Sequence, residues 1–247
     1  MKSLFCFLIL CPFLSFAQSF TIEYEVTLNV LNRRGILTIN DTLESFYIEE
    51  QNLKISDKQS TDEDGLYSKS IYLGSLKEKK RLQIYKKEKD TLINVDYLED
   101  EQVICFELFP KMIWKLEAET KTISNYLCTK ASVKFRGRNY IAWFSSDIPT
   151  NVGPWKFNNL PGAILQVYDE SMKFSWIANK IIINGQERKI TLDKNLKQVT
   201  LKEFVEKDEK LKKEKSEMML IKYAERGAEV IERQYNRGRE KAFEWEK

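Results

Sequence analysis

The clearest pattern in the sequence is an alternation of apolar and polar residues that begins at position 20. Apolar side chains stand at positions 20, 22, 24, 26, 28 and 30, with polar ones between them. This period of two predicts a β-strand with one buried face. Shorter stretches of similar character follow, and their number and spacing predict an antiparallel sheet or barrel. They cover 36–39, 43–48, 53–55, 70–73, 82–85, 92–97, 103–109, 113–116, 127–135, 140–144, 164–168 and 173–183.

Proline and glycine mark two loops in the middle of the chain. Pro161-Gly162 predicts a type II turn, because proline presets φ at about −65° and glycine permits a positive φ. Asn184-Gly185 is a hairpin signal, and it predicts a last strand at 188–192. We expect the residues of the two loops to act structurally, and they are Pro149, Gly153, Pro154, Leu160, Pro161 and Gly162.

The chain changes character from residue 200, where charged residues become dense and proline is absent. Small and apolar side chains recur there at spacings of three and four, which predicts one amphipathic helix over 200–247. They are Leu220, Ala224, Gly227, Ile231, Tyr235, Gly238, Ala242 and Trp245. We expect this helix to dock on its own sheet. The alternative is self-association through the stripe.

The N-terminus has the three parts of a secretory signal peptide. Lys2 precedes an apolar stretch, and Ser15 and Ala17 form a small-residue cleavage site. The stretch is shorter than the ~20 residues of a spanning helix, so we expect no transmembrane segment in the mature chain. The sequence thus predicts a signal peptide over 1–17, a β domain over 18–199 and the helix. The protein would be exported to the periplasm, the outer membrane or the medium.

Removal of the signal leaves two cysteines, Cys105 and Cys128. An even pair in an oxidising compartment favours a disulfide. The alternative is two buried thiols on separate strands.

The composition of the chain excludes several kinds of partner and catalytic site. The net charge is +3 from 40 basic and 37 acidic residues, so no strong field favours nucleic acid as a partner. The chain has no histidine, which excludes Ser-His-Asp and Cys-His nucleophiles in their usual form and HExxH zinc sites. No nucleotide-binding glycine motif occurs, and we predict no cofactor and no metal. A histidine-free hydrolase would have to use Asp147, Ser145 or Lys130.

Four of the five tryptophans lie between residues 114 and 176, at positions 114, 143, 155 and 176. Most tryptophans in strands belong to the core. The alternative is a cavity for an apolar ligand, lined by residues such as Trp143 and Trp155.

Three strings in the same region carry a resemblance. They are WKLEAETKTISNYLCTKA from residue 114, FRGRNYIAWF from 135 and DIPTNVGPWKFNNLPGAIL from 147. Residues 114–180 resemble the GLPGLI family of secreted bacterial proteins, whose name motif stands here as NLPGAI. Asn159 replaces the first glycine of that motif, and Ala163 replaces its second leucine. The resemblance implies an exported protein and no particular reaction.

The order of strands and loops in this region is also similar to periplasmic lipoprotein-carrier folds. Those folds wrap a curved antiparallel sheet around a helical element. We therefore expect a mainly β (α+β) protein built on a curved antiparallel sheet or half-barrel with a C-terminal amphipathic helix.

Four basic residues form the strongest candidate for a polar site: Lys121, Lys130, Arg136 and Arg138. Arginine suits bidentate capture of a carboxylate or phosphate, so the site would take an anionic ligand or an acidic partner segment. The alternative is that Arg138 pairs with Glu117 or Glu119 and the lysines are solvated.

The sequence as a whole favours a non-catalytic binding or accessory protein of the cell envelope. Its partner would be an envelope protein, an apolar ligand or an anionic ligand. A carrier of an apolar ligand and a histidine-free hydrolase are the alternatives.

Overall fold

The computed structural model describes residues 19–29, 31–40, 45–51, 58–61, 67–70, 80–86, 89–184, 190–224 and 237–246. The predicted signal peptide, the predicted strand at 53–55 and most of the one at 70–73 lie outside these residues.

The protein is mainly β, and its core is one open, curved sheet of twelve strands, as predicted. Two further short strands, Lys58–Thr61 and Tyr67–Ser70, pair with each other separately. The strands are β1 Phe20–Leu28, β2 Leu31–Ile39, β3 Ser45–Gln51, β4 Lys58–Thr61, β5 Tyr67–Ser70, β6 Arg81–Lys86, β7 Thr91–Leu98, β8 Glu101–Leu108, β9 Lys115–Ile123, β10 Tyr126–Phe135, β11 Arg138–Ser145, β12 Ala163–Asp169, β13 Phe174–Ile183 and β14 Lys197–Thr200.

The order across the large sheet is β14-β8-β7-β6-β3-β2-β1-β13-β12-β11-β10-β9. Neighbouring strands are antiparallel except β14, which pairs in parallel with β8. The central strand β1 joins the two halves of the chain, because it pairs with β2 on one side and with β13 on the other. All the apolar positions of the sequence pattern in β1 are buried, and Thr21 beside Phe20 is buried as well.

Two strand predictions are wrong in part. The strand predicted at 113–116 begins only at Lys115 and continues to Ile123. Most side chains of this observed strand are exposed. The predicted strand at 188–192 is absent from its described part, residues 190–192. Ile190 and Leu192 instead pack against a buried cluster on β3, β6, β7 and β8. Their apolar side chains thus cover a sheet face rather than extend the sheet.

Residue 201 begins helix α1, which runs over Leu201–Ala224. Thr200 caps it: its hydroxyl accepts the Glu203 N–H at 3.2 Å, and Glu203 Oε2 accepts the Thr200 N–H at 2.8 Å. Only the first turns are packed, since Leu201, Phe204, Val205 and Leu211 contact a cluster with Val103 and Phe243. None of the helices in the described ranges has the length and the apolar character that crossing a membrane requires.

The predicted continuous helix over 200–247 is wrong at its end. Gly238 lies in a turn with φ +74°, and residues 241–243 have no regular structure. A short 3-10 turn, Glu244–Glu246, follows. The stripe positions 227, 231 and 235 lie outside the described residues. We call residues 237–246 the C-terminal segment.

The predicted disulfide is not formed, and Cys105 and Cys128 are buried free thiols. Cys128 belongs to the central core cluster, whereas Cys105 belongs to the cluster under α1. Their strands are the second from each end of the large sheet. Packing in separate clusters therefore keeps the two sulfur atoms apart.

Candidate functional site

The C-terminal segment docks on the hairpin that joins β10 and β11. The N–H groups of Lys241 and Ala242 donate to the Arg136 carbonyl at 2.8 and 3.2 Å. The Tyr140 hydroxyl donates to the Arg239 carbonyl at 2.9 Å. Gly137 has φ +79°, which makes the tight hairpin turn. These bonds bring charged side chains of the segment over the sheet.

Arg136 is the first charged residue of this interface. Its side chain is only 6% exposed and binds three carboxylates: Glu107 at 3.1 Å, Glu244 at 3.1 Å and Glu240. Burial lowers the pKa of Arg136, but Glu240 and Glu107 outweigh burial and raise it. The guanidinium thus stays charged. The acidic partner of Arg136 is a segment of its own chain.

Lys156 completes a buried network with the same carboxylates. Its Nζ lies 2.5 Å from Glu107 Oε1 and 2.9 Å from Glu240 Oε1. The network continues through Asn94 Nδ2, which donates to Glu107 at 3.1 Å, and Gln83 Nε2, which donates to Asn94 at 2.7 Å. Two cations therefore face two carboxylates, buried Glu107 and largely buried Glu240, which is the balance that buried ion pairs need.

Arg138 binds the segment at a second point. Its Nε and Nη2 donate to the Gly238 carbonyl at 2.8 and 2.5 Å, and its Nη1 donates to Asp169 at 3.1 Å. The alternative partners expected from sequence, Glu117 and Glu119, are bound instead by Lys130, at 3.1 and 2.7 Å.

The two lysines of the predicted site lie elsewhere on the sheet. Lys121 Nζ donates to Gln166 at 2.5 Å and lies 4.2 Å from the ring centre of Trp143. Lys130 lies in the middle of β10, and Arg136 lies in the turn just after its end, so their separation of six residues spans about 20 Å of nearly extended chain. The four predicted basic residues therefore do not form one site, and only the two arginines act together.

The aromatic side chains pack against one another. Trp155 is buried, stacks on Trp176 with ring centres 5.6 Å apart, and meets Phe135 and Phe157 edge-on at 5.9 and 5.2 Å. Two small cavities flank Trp155. Their volumes, counted as the space that the centre of a water molecule can occupy, are about 20 and 10 Å³. A volume of this size holds one or two waters. This packing leaves little room for an apolar ligand at Trp155.

The three candidate residues of a hydrolase do not converge. The Ser145 hydroxyl is buried and accepts the Asp147 N–H at 3.4 Å. Lys130 is directed toward the carboxylates of β9. Within the described ranges, no group of three or more Cys, Asp or Glu side chains is placed to hold a metal ion.

The proline and glycine loops are tightly bonded. Gly153 N–H donates to the Phe157 carbonyl at 2.8 Å, and Pro154 lies between them. At the second loop the Gly162 N–H donates to the Leu160 carbonyl at 2.9 Å, with Pro161 as the central residue. The bond spans three residues, and Gly162 has φ +155°, so the predicted type II turn is replaced by a tighter γ-like turn.

A second row of charges, of alternating sign, lies beside the buried network of Arg136 and Lys156. It crosses four adjacent strands. Glu49 on β3 is paired with Arg81 on β6, and Arg81 Nε binds Asp96 on β7 at 2.8 Å. Arg33 on β2 is the diagonal neighbour of Glu49. Arg239 of the C-terminal segment binds Glu49 at 2.6 Å and lies 4.9 Å from the Trp155 ring centre.

The comparisons with known proteins concern the fold. No family model matches the sequence, and no curated protein matches it significantly. The structure is similar to that of PNGF-II in the P21 and C2 space groups, with TM-scores of 0.54 and 0.52 and identities of 15 and 16%. The likeness covers 79% of this chain and 34 and 33% of those chains. The chain therefore spans about a third of PNGF-II.

The sequence patterns did not identify several of the charged residues described above. Lys156 stands between Trp155 and Phe157, and a cation inside an aromatic string is a signal that could have marked it as buried. Glu107 alternates with the apolar residues of β8 and gives no such signal. The sequence places Glu240 and Arg239 in the predicted C-terminal helix, because their observed structure depends on contacts with distant strands.

Proposed function

We propose that the protein is exported and acts at the cell envelope as a non-catalytic binding or accessory protein. The N-terminal signal pattern supports export. The observation that supports a non-catalytic role is the chemistry of the buried polar groups. In the described residues they are arginines, a lysine and carboxylates joined in ion pairs within the chain, and none of them is a nucleophile beside a base.

We also propose a relationship with GLPGLI proteins, and the backbone of the NLPGAI motif is compatible with it. Asn159 has φ +67°, a value that glycine adopts freely and asparagine tolerates better than most residues. Its Nδ2 donates to the Met112 carbonyl at 2.9 Å. Asparagine can therefore replace the first glycine of the motif without changing the backbone.

Two measurements on protein made in its own cell test this proposal. N-terminal sequencing of the envelope and secreted fractions should find a chain that begins at Gln18. Native mass spectrometry of the same material should find a bound molecule or a partner protein. A cytoplasmic chain that keeps residues 1–17 would overturn export, and turnover of a substrate by the purified protein would overturn the non-catalytic role.

A further inference from the structure

Strand β9 forms one edge of the large sheet and leaves its outer side open. It has nine residues, Lys115–Ile123, and within the described part of the chain it pairs with β10 alone. The opposite edge differs, because β14 has only four residues and leads directly into helix α1. In an antiparallel edge strand, alternate residues direct their N–H and C=O groups outward. On β9 these groups meet no other strand of the described residues.

The chain is fixed on both sides of β9. Before the strand, the Trp114 indole N–H donates to the Asn158 carbonyl at 2.7 Å. After it, Ser124 and Asn125 have φ values of +48° and +69°, which make a tight two-residue hairpin turn into β10. A second strand therefore meets an edge that is already in its paired conformation, and binding does not have to order it.

Apolar side chains are exposed along this edge. Ile113, just before the strand, is 88% exposed, Leu116 on β9 is 56% exposed, and Leu127 on β10 is 61% exposed. Leu116 is paired with buried Ala131, and Leu127 lies four residues before Ala131 on the same strand. Both leucines therefore stand on the face of the sheet that carries Ala131. Exposed apolar side chains beside an unpaired edge mark a surface that another strand can cover.

The charged residues of β9 decide which strand fits. On its other face their order is basic, acidic, acidic and basic, at Lys115, Glu117, Glu119 and Lys121. Charges at a sheet edge usually oppose pairing. This order, however, complements a second copy of β9 that runs antiparallel with all nine residues paired. Glu117 of each copy then lies opposite Lys121 of the other, which gives two attractive cross-strand pairs.

The remaining positions of this register are also compatible. Glu119 faces Glu119 of the second copy at the centre, but each is bound by Lys130 of its own chain at 2.7 Å, so two lysines balance the two glutamates. On the other face, Leu116 lies opposite Thr122 of the second copy, whose neighbour on β10 is Leu127. The exposed leucines of the two copies thus share one row, with Thr122 between them.

We propose that the open edge of β9 binds the same edge of a second copy of this chain, antiparallel and with two-fold symmetry. The two large sheets continue as one, and the outward backbone groups of the two strands bind each other. The Glu117–Lys121 pairs set the register. This inference adds an assembly state to the proposed function and does not depend on it.

Sedimentation equilibrium and amide hydrogen exchange, both over a range of protein concentrations, test the dimer. We expect the average mass to rise from one chain toward two as the concentration increases. The outward amides of β9, which belong to alternate residues, should exchange more slowly in the concentrated sample. The inward amides, which are bonded to β10, are the internal control, and their exchange should change less.

Lys121→Glu should weaken association about tenfold or more, because it converts both attractive pairs into like-charge pairs. Adding Glu117→Lys to the same chain restores opposite charges in this register and should recover most of the affinity. Lys134→Glu is the matched control, since it reverses an exposed lysine on the neighbouring strand β10 and should leave the affinity unchanged. Circular dichroism of each variant shows whether the monomer is still folded, and recovery in the double variant separates pairing from a loss of stability.

Four results would overturn the proposal. They are a parent protein that stays monomeric at every concentration, slower exchange that appears outside β9, equal weakening by Lys134→Glu and Lys121→Glu, and a folded double variant that does not recover. If the β9 amides are protected only by a different protein that copurifies, the edge has another partner and the dimer is wrong.

Discussion

Replacement of Gly162 by alanine should destabilise the protein strongly. A Cβ atom at this position would lie 2.6 Å from the Ser145 carbonyl carbon, closer still to its oxygen, and 2.9 Å from the Ser146 Cα. All three atoms belong to the backbone at the end of β11. A rotamer change therefore cannot relieve the overlap, and the turn or the strand has to move.

The magnitude follows from two terms. Overpacking of this kind costs about 1–3 kcal/mol, and a non-glycine residue in a sparsely populated backbone region such as φ +155° costs about 1–3 kcal/mol more. We expect a loss of about 3 kcal/mol or more. In a domain of this size each kcal/mol lowers Tm by roughly 2–4 °C, so Tm should fall by about 6–12 °C. Gly162→Val should lower it further.

Thermal unfolding followed by circular dichroism measures this effect, with Gly238→Ala as the control. Gly238 also has a positive φ, +74°, but among the described residues no atom outside its chain neighbours lies within 4 Å of an added Cβ. Its substitution should cost only the backbone term, about 1–2 kcal/mol. Equal Tm values for the two variants would refute the overlap argument. A Gly162→Val protein that melts like the parent but loses its biological effect would refute the structural role of the turn.

Three further predictions concern buried polar groups. Burial raises the pKa of Glu240, but Lys156 and Arg136 lower it below its usual value of 4.5. The parent should therefore exceed Glu240→Gln in stability at neutral pH, and denaturant unfolding should show this advantage shrinking as pH falls below about 4.5. Burial raises the pKa of Cys105 to about 12, and a thiol reagent should label Cys105 and Cys128 only after unfolding without reductant. Absence of labelling after unfolding would indicate a disulfide. Arg138→Ala should cost about 3 kcal/mol, because it leaves a buried carboxylate unpaired; an unchanged Tm would contradict that pairing.

The sequence predicts the strands that have one buried face and misses those that do not. β1 alternates because the sheet curves around its apolar face. β9 lies at the edge of the large sheet, where its side chains are mostly exposed. Its polar string therefore shows no period of two. β14 is four residues long, and its parallel pairing with β8 depends on a contact between distant parts of the chain.

The sequence predicts only those residues of the candidate site that lie together in one short stretch of the chain. Arg136 and Arg138 stand out as a pair of arginines in a hairpin turn, but their partners are Glu240 and the Gly238 carbonyl, 104 and 100 residues away. Arg33 lies beside Arg34 in a polar stretch that is typical of a surface turn. Only the strands that pack around it make it a buried residue.

The docked C-terminal segment also sets the order in which the molecule can be completed. Its bonds to Glu49 and Arg136 span 190 and 104 residues. Contacts of such long range slow folding, because distant parts of the chain must meet before the contact stabilises either of them. Hairpins such as β10–β11 can form early during synthesis, but the carboxylate of Glu240 arrives more than eighty residues after Lys156. Until Glu240 has been synthesised, Lys156 and Arg136 lack one of their carboxylate partners. This favours late closure of the curved sheet.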